Sequence, residues 1–270
     1  MSIRQYRPRG NNRRGISSKQ SLIIASLLTA TIFLQILYPL VHGGALRIVT
    51  ILFVYCGALT MLAHAYLAYG IKYLAIYSSI TFAFSLLVEI IGSKTGWPFG
   101  EYGYDSTLGF QIAGVPLVVP FAWVMMAHPA LIIARKLSRA WVFLVGALVL
   151  VAWDLFIDPQ MVAAGRWRWT FDGAHVPFEP TIPLSNAFGW LLCGMGLMAL
   201  LHRLAPKDRR KNGASTSVVD FYVMWTLFSG VVGNIFFFHT PGVAFIGGIS
   251  FAALFFPYLV ATRLGRPDNF

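Results

Sequence analysis

Eight apolar runs of membrane-span length constrain the fold of this 270-residue sequence more than any other feature. A helix needs about 20 mostly apolar residues to cross a hydrocarbon core of roughly 30 Å. Only 11% of the residues are charged, well below the roughly 25% of an ordinary soluble domain. We therefore predict an all-α fold, a polytopic integral membrane helix bundle with transmembrane helices at 21–41, 48–69, 73–92, 113–134, 140–158, 182–204, 218–238 and 242–262.

The basic residues predict how this bundle is oriented. With a cytoplasmic N-terminus, 17 Lys and Arg residues fall on the inner side and 4 on the outer side. Such a positive-inside bias persists over alternating loops when the number of spans is even. Both termini are therefore predicted to be cytoplasmic. The predicted organisation is a basic cytoplasmic tail (1–20), a single transmembrane domain (21–264) and a short cytoplasmic tail (265–270).

The net charge of +11 is explained by this inner rim, because basic residues there face anionic lipid. No segment outside the predicted spans is long enough to form a basic nucleic-acid-binding module. Membrane lipids, and no nucleic acid, are the partners that the charge predicts. Cys56 and Cys193 lie within predicted spans without a CxxC pair, so no metal site is predicted from them.

Three carboxyl groups lie within apolar helices, where each costs several kcal/mol unless it is paired, neutral or facing a cavity. They belong to Glu89, Asp154 and Asp158. The two aspartates are four residues apart and so share a helical face. We predict that Pro159 ends their helix, so apolar surroundings, the like charge and the helix dipole all favour a protonated carboxyl group. A neutral carboxyl group of this kind is suited to act as a general acid, whereas snorkelling to the interface is the alternative.

A weak internal repeat supports the placement of these carboxyl groups at one depth. Each carboxyl-bearing span is followed by a loop rich in Gly and Trp, and then by an apolar run that opens with VPLVVPFAW or IPLSNAFGW. The separation of seven between Pro116 and Trp123 recurs between Pro183 and Trp190. Parallel repeats would place the three carboxyl groups at one depth, although two apolar, aromatic segments can also resemble each other by chance.

The two outer loops, GWPFGEYGY and GRWRWTF, are unusually aromatic. An interfacial aromatic belt is one explanation, but the glycines and Pro98 favour tight loops that close over the carboxyl groups. Glu101 is either a further participant in proton transfer or the solvated edge of its loop. The predicted substrate contacts are the aromatic and amide side chains of these loops and the helices that follow, namely Trp97, Phe99, Tyr102, Tyr104, Trp123, Trp167, Trp169, Asn186 and Trp190.

The motifs EIIGSKTGWPFGEYGY, GVPLVVPFAW, DLFIDPQMVAAGRWRW and NAFGW resemble those of the polytopic carotenoid 1′,2′-hydratases and the related bisanhydrobacterioruberin hydratases. The resemblance covers residues 82–204, the motif-bearing core. It implies the addition of water to the terminal double bond of an acyclic carotenoid of the lycopene or γ-carotene type, taken from the bilayer. A sequence pI near 10.0 favours a bacterial cell membrane over a haloarchaeal one, and other enzymes of the carotenoid pathway are possible partners.

The implied reaction matches the chemistry of the residues. Protonation of a trisubstituted alkene gives a tertiary cation, which requires a neutral acid, aromatic walls and one controlled water. Our hypothesis makes Glu89, Asp154 and Asp158 catalytic, with one aspartate as the proton donor and Glu89 positioning water or accepting its proton. No cofactor or metal is predicted.

Two other functions remain open from the sequence. A proton-coupled transporter of a hydrophobic or small substrate would also have about eight spans, intramembrane carboxyl groups and a repeat. Carboxyl groups at one depth, however, favour a site over a relay across the membrane. A metal-dependent, lipid-modifying enzyme is the third candidate, although the sequence lacks a DxxD-type pair.

Overall fold

The computed structural model describes residues 16–207 and 215–264. Residues 1–15 of the predicted N-terminal tail and all of the predicted tail 265–270 lie outside the described residues. The predicted division of the chain into a membrane domain and two tails therefore stays a prediction.

Within the described residues, eight helices are long and apolar enough to cross a membrane. This confirms the predicted all-α polytopic bundle, and each helix overlaps one predicted span. The side of the membrane on which the termini lie stays a prediction. The helices are α1 (Ser18–Leu37), α2 (Gly43–Tyr69), α3 (Ile71–Thr95), α4 (Val118–Leu137), α5 (Val142–Ala163), α6 (Leu184–Leu204), α7 (Ser217–Phe236) and α8 (Pro241–Arg263).

Short strands occupy the α3–α4 and α5–α6 connections at one end of the bundle, which we call the strand end. In the α3–α4 connection lie β1 (Glu101–Tyr104), β2 (Gln111–Ile112) and β3 (Val115–Pro116). In the α5–α6 connection lie β4 (Trp167–Thr170), β5 (His175–Val176) and β6 (Glu179–Pro183). Each connection therefore consists of one strand followed by a hairpin, because β2 pairs with β3 and β5 pairs with β6. This shared order is the structural counterpart of the repeat in the sequence.

The strands β1 and β4 join the two connections to each other. They pair antiparallel, with Tyr102 opposite Trp169 and Tyr104 opposite Trp167. Since side chains alternate across a strand, these four aromatic residues lie on one face of the two-stranded ladder. The loops GWPFGEYGY and GRWRWTF therefore form a single cap.

Phe99 anchors the cap in the bundle. Its ring is buried between Gly92 of α3 and Gly189 of α6, where an added Cβ atom would lie 2.8 Å and 2.5 Å from the ring. The helix α3 ends at Gly96, whose φ of 74° is a left-handed conformation that favours glycine. The close approach of Phe99 to two glycines fixes where the cap sits.

The helix α4 is the centre of the bundle. Nearly all of it is buried, and it packs against α2, α3, α5, α6 and α8. The helices α3 and α5 each pack on α4 and α6. The carboxyl groups of α3 and α5 therefore meet between α4 and α6, and the site does not depend on α3 and α5 being direct neighbours.

The helix α5 continues through Pro159 to Ala163, so the prediction that Pro159 ends it is wrong. Proline removes one backbone donor, and intramembrane helices tolerate this because neighbouring helices repack around the gap. Asp158 consequently lies more than one turn before the helix end. The dipole argument for this residue is weaker than the sequence indicated, since the dipole acts mainly within the last turn.

Candidate functional site

A cavity of about 300 Å³ lies beneath the cap at the strand end. Glu89, Asp154 and Asp158 all line it, and they are 5%, 4% and 3% exposed. Trp97 does not line the cavity and is 63% exposed, so the structure separates it from the other predicted contacts. The remaining eight predicted contact residues line the cavity, namely Phe99, Tyr102, Tyr104, Trp123, Trp167, Trp169, Asn186 and Trp190.

Glu89 accepts three hydrogen bonds from side chains of the cap and α4. The hydroxyl groups of Tyr102 and Tyr104 each donate to Oε2 at 2.6 Å, and the indole Nε1 of Trp123 donates to Oε1 at 3.0 Å. Both tyrosines reach the same oxygen because they are two residues apart on β1 and project from one face. Three donors on one carboxyl group suit its ionised form, which only accepts hydrogen bonds.

The two tyrosines remain donors over a wide pH range. Burial, followed by the neighbouring Glu89 carboxylate, raises the pKa of both Tyr102 and Tyr104 well above the ordinary tyrosine value. Their hydroxyl groups therefore stay protonated at every pH at which the bundle is expected to function. Two of the three donors to Glu89 are therefore fixed by the cap.

Asp154 and Asp158 share one donor on α6. The Nδ2 group of Asn186 donates to Oδ2 of Asp154 at 3.2 Å and to Oδ2 of Asp158 at 2.5 Å. Among the described residues, Oδ1 of Asp154 is buried without a hydrogen-bond partner. Asn186 thus holds the two carboxyl groups together.

Aromatic faces form much of the remaining wall. The rings of Trp123 and Trp190 stack with centroids 4.3 Å apart and an interplanar angle of 11°, so the tryptophans of the two repeat motifs meet in the cavity. Within the cap, Tyr104 packs edge-on against Trp167. Indole faces attract a cation that lies over them, most strongly when water is excluded. The cavity can therefore stabilise positive charge that develops on an apolar ligand.

Several wall residues were not identified from the sequence. Trp153 and Phe156 lie within two residues of Asp154 on α5 and line the cavity, and the AWDLF motif contained that signal. Residues of α1 and α7, among them Ile36 and Phe228, also line it. In the sequence these two resemble any lipid-facing residue, so no pattern could have singled them out.

Glu101 lies on β1 but is exposed and does not line the cavity. It projects from the opposite face of β1 from the two tyrosines because side chains alternate along a strand. This position favours the solvated-edge interpretation over a fourth role in proton transfer. Throughout residues 16–207 and 215–264, no three His, Cys, Asp or Glu side chains are arranged to hold a metal ion.

Comparisons with known proteins agree with the motif resemblance. Residues 49–254 match the family described as carotenoid biosynthesis protein, a range that contains Glu89, Asp154, Asp158 and the eight predicted contact residues that line the cavity. The chain is 30% identical over 202 residues to the bisanhydrobacterioruberin hydratase of Haloarcula japonica. That alignment covers 68% of this chain and 65% of the relative, just under two thirds of its length. No solved structure matches the chain.

Proposed function

Because the chain belongs to the carotenoid biosynthesis protein family, we propose that it is a carotenoid hydratase, a hydro-lyase. The proposed reaction adds water to the terminal 1′,2′ double bond of an acyclic carotenoid end of the lycopene or γ-carotene type. The observation that carries this proposal is the apolar, aromatic cavity that contains Glu89, Asp154 and Asp158. A related protein named a hydratase supports the reaction type.

Asp154 is the proposed proton donor. Three carboxylates in one buried apolar cavity repel one another strongly, so the cluster retains at least one proton near neutral pH. Glu89 already accepts three hydrogen bonds, whereas Oδ1 of Asp154 has no partner among the described residues. The proton therefore resides best on the aspartate pair, and Asp154, which lines the cavity, delivers it to the alkene.

Glu89 and the aromatic wall act on the cation that follows. Protonation at C2′ leaves a tertiary cation at C1′, which the Glu89 carboxylate and the faces of Trp123 and Trp190 stabilise. Water then adds to C1′, and a carboxylate of the cluster takes the proton that the water releases. The acid is regenerated, so the reaction needs no net proton supply.

The substrate enters from the bilayer, between α1 and α7. The cavity wall includes Ile36 and Leu40 from α1 and its terminal turn, and Phe228 and Phe237 from α7 and its end. All four side chains are also exposed on the outside of the bundle, where the hydrocarbon of the membrane would lie. A volume of about 300 Å³ is at the lower limit for enclosing a drug-sized ligand. The cavity therefore takes one end of a carotenoid while the rest of the molecule stays in lipid.

We further propose a bacterial cell membrane as the location, with both termini cytoplasmic and the strand end facing outward. The positive-inside distribution of Lys and Arg supports this orientation. Reporter fusions in the loops around Asp105 and Asp172 test it, and a cytoplasmic signal from either loop would contradict it.

Pigment analysis tests the function. The chain is expressed in a host that makes lycopene or γ-carotene, and the pigments are analysed by mass spectrometry. A product heavier by one water is expected with the wild type and is expected to be absent with Asp154→Asn. The matched control is Asp172→Asn, because Asp172 is an exposed aspartate that does not line the cavity. Unchanged pigment with well-inserted wild-type protein would refute the hydratase and favour the transporter.

A further inference from the structure

A second, much smaller cavity lies behind the aspartate pair. Its volume is about 10 Å³, and Asp154, Asp158 and Asn186 line both cavities. The other walls come from α5, α6, α8 and the β5–β6 hairpin. The polar side chains that hold the two carboxyl groups together therefore lie between a large cavity and a small one, which we call the rear pocket.

The rear pocket has the size and the polar partners that one water needs. About 10–15 Å³ of probe-occupied volume holds a single water, which requires two to four hydrogen-bonding groups. Asp154, Asp158, Asn186 and Glu179 all contribute to the wall. A water in this pocket would therefore have the side chains of both aspartates, Asn186 and Glu179 around it.

Glu179 connects the rear pocket to the surface of the strand end. It lies at the start of β6 and is 8% exposed, and its Oε1 accepts hydrogen bonds from the backbone and hydroxyl groups of Thr181. Thr181 is exposed. A carboxyl group that borders the pocket and bonds to an exposed hydroxyl group provides a polar route from the surface to the aspartate pair. With this route, water reaches the aspartate pair without passing through the aromatic main cavity.

We propose that the rear pocket is the site of the water consumed in the reaction, and that Glu179 positions this supply. The inference rests on the proposed hydratase function. Asp154 transfers its proton to C2′, forming a C–H bond and leaving the cation at C1′. The water from the rear pocket forms the C–O bond at C1′ and gives one proton to the carboxylate of the aspartate pair. Alkene and water thus become one alcohol, with the acid restored.

One added methyl group tests the proposal. Val243 on α8 is buried and lines the rear pocket, and Val243→Ile adds a methyl group comparable in volume to one water. The matched control is Val260→Ile, because Val260 is on the same helix but 56% exposed. Glu179→Leu is the second variant, which removes the polar route without filling the pocket. Size-exclusion profiles and carotenoid binding establish that each variant is folded.

The reaction is run in D₂O with purified protein and carotenoid in liposomes, and two products are measured. The cation that is captured by water appears as the alcohol. Uncaptured cation loses a proton and returns as alkene, part of which carries deuterium at the terminal group. We expect Val243→Ile and Glu179→Leu to lower alcohol formation about tenfold, as expected when one or two hydrogen bonds to the water are lost. The ratio of deuterated alkene to alcohol should rise at the same time.

The outcomes separate the two proposals. A wild-type protein that binds carotenoid but forms neither alcohol nor deuterated alkene refutes the hydratase function itself. If the wild type forms alcohol, an unchanged alcohol yield in both variants overturns the rear-pocket proposal. If the yields of alcohol and deuterated alkene fall by the same factor, the proposal is also overturned. Such a result would mean that the pocket affects protonation of the alkene and not capture of the cation by water.

Discussion

The hydrogen bonds to Glu89 offer the sharpest test of the proposed mechanism. Tyr102→Phe and Tyr104→Phe each remove one of the three donors and keep the ring. The rings lie 5.4 Å apart in an edge-to-face arrangement that the substitutions preserve. Each variant therefore changes the electrostatics of one carboxylate with little change in the shape of the cavity.

The expected loss of rate follows from the geometry of these hydrogen bonds. Both hydroxyl groups donate at 2.6 Å, and a hydrogen bond to a charged group contributes about 1.5–3 kcal/mol. Since about 1.36 kcal/mol changes a rate tenfold, full loss of one bond lowers the rate about 10- to 150-fold. We expect each single variant to lie near the lower limit, because the other tyrosine and Trp123 still stabilise Glu89. The double variant should lose about 100-fold or more, although residues that share one oxygen need not act additively.

The assay is the initial rate of alcohol formation with purified protein in liposomes, measured by chromatography at several carotenoid concentrations. We expect kcat to fall and KM to change little, because the lost donors no longer stabilise the charge of Glu89, and that charge acts on the transition-state cation and not on the neutral substrate. Tyr77→Phe is the control, since Tyr77 on α3 is buried and donates to the Val124 carbonyl away from the cavity. Wild-type kcat in the double variant would refute the role of Glu89.

Three further predictions concern the cap and the entrance. Gly92→Ala places a Cβ atom 2.8 Å from the hydroxyl oxygen of Tyr102, so it should lower kcat about as much as Tyr102→Phe, measured in the same assay. Glu101→Gln should retain wild-type activity, because Glu101 is exposed on the far face of β1. Ile36→Trp should narrow the proposed entrance and raise KM several-fold in liposomes, whereas Phe33→Trp, one turn earlier on α1 and exposed without lining the cavity, should not.

Each of these three predictions has its own control or contradicting outcome. Gly103→Ala serves as the control for Gly92→Ala, since nothing lies within 4 Å of a Cβ atom at Gly103. Equal activity of the two alanine variants would contradict the packing argument. A large loss of activity in Glu101→Gln would restore this residue as a participant in proton transfer. An unchanged KM in Ile36→Trp would place the entrance elsewhere.

The sequence predicted the helices and the carboxyl cluster because both depend on patterns along the chain. Twenty-residue apolar runs predict spans directly, and the four-residue spacing of Asp154 and Asp158 predicts one shared face. The Tyr-Gly-Tyr alternation at 102–104 also contained the information that both hydroxyl groups project to one side, once a strand is assumed.

Other features of the site depend on contacts between distant segments, which no local pattern records. The pairing of β1 with β4 turns two aromatic loops into one cap, and this register leaves Trp97 before the strand and outside the cavity. The contribution of Phe228 to the wall was equally invisible, since apolar residues face lipid and cavity alike. No sequence pattern singles out Glu179, and only the packing of β6 against α5 and α6 brings it to the aspartate pair.

The size of the main cavity has a kinetic consequence. For the proposed carotenoid substrate, a chamber of about 300 Å³ would enclose one terminus of the polyene and would make no contact with the other. A carotenoid with two acyclic termini must therefore leave the protein, turn end for end in the bilayer and bind again before the second terminus reacts. Catalysis should be distributive, with the singly hydrated pigment accumulating before the doubly hydrated one, and the unbound terminus free to carry any group that another enzyme has placed there.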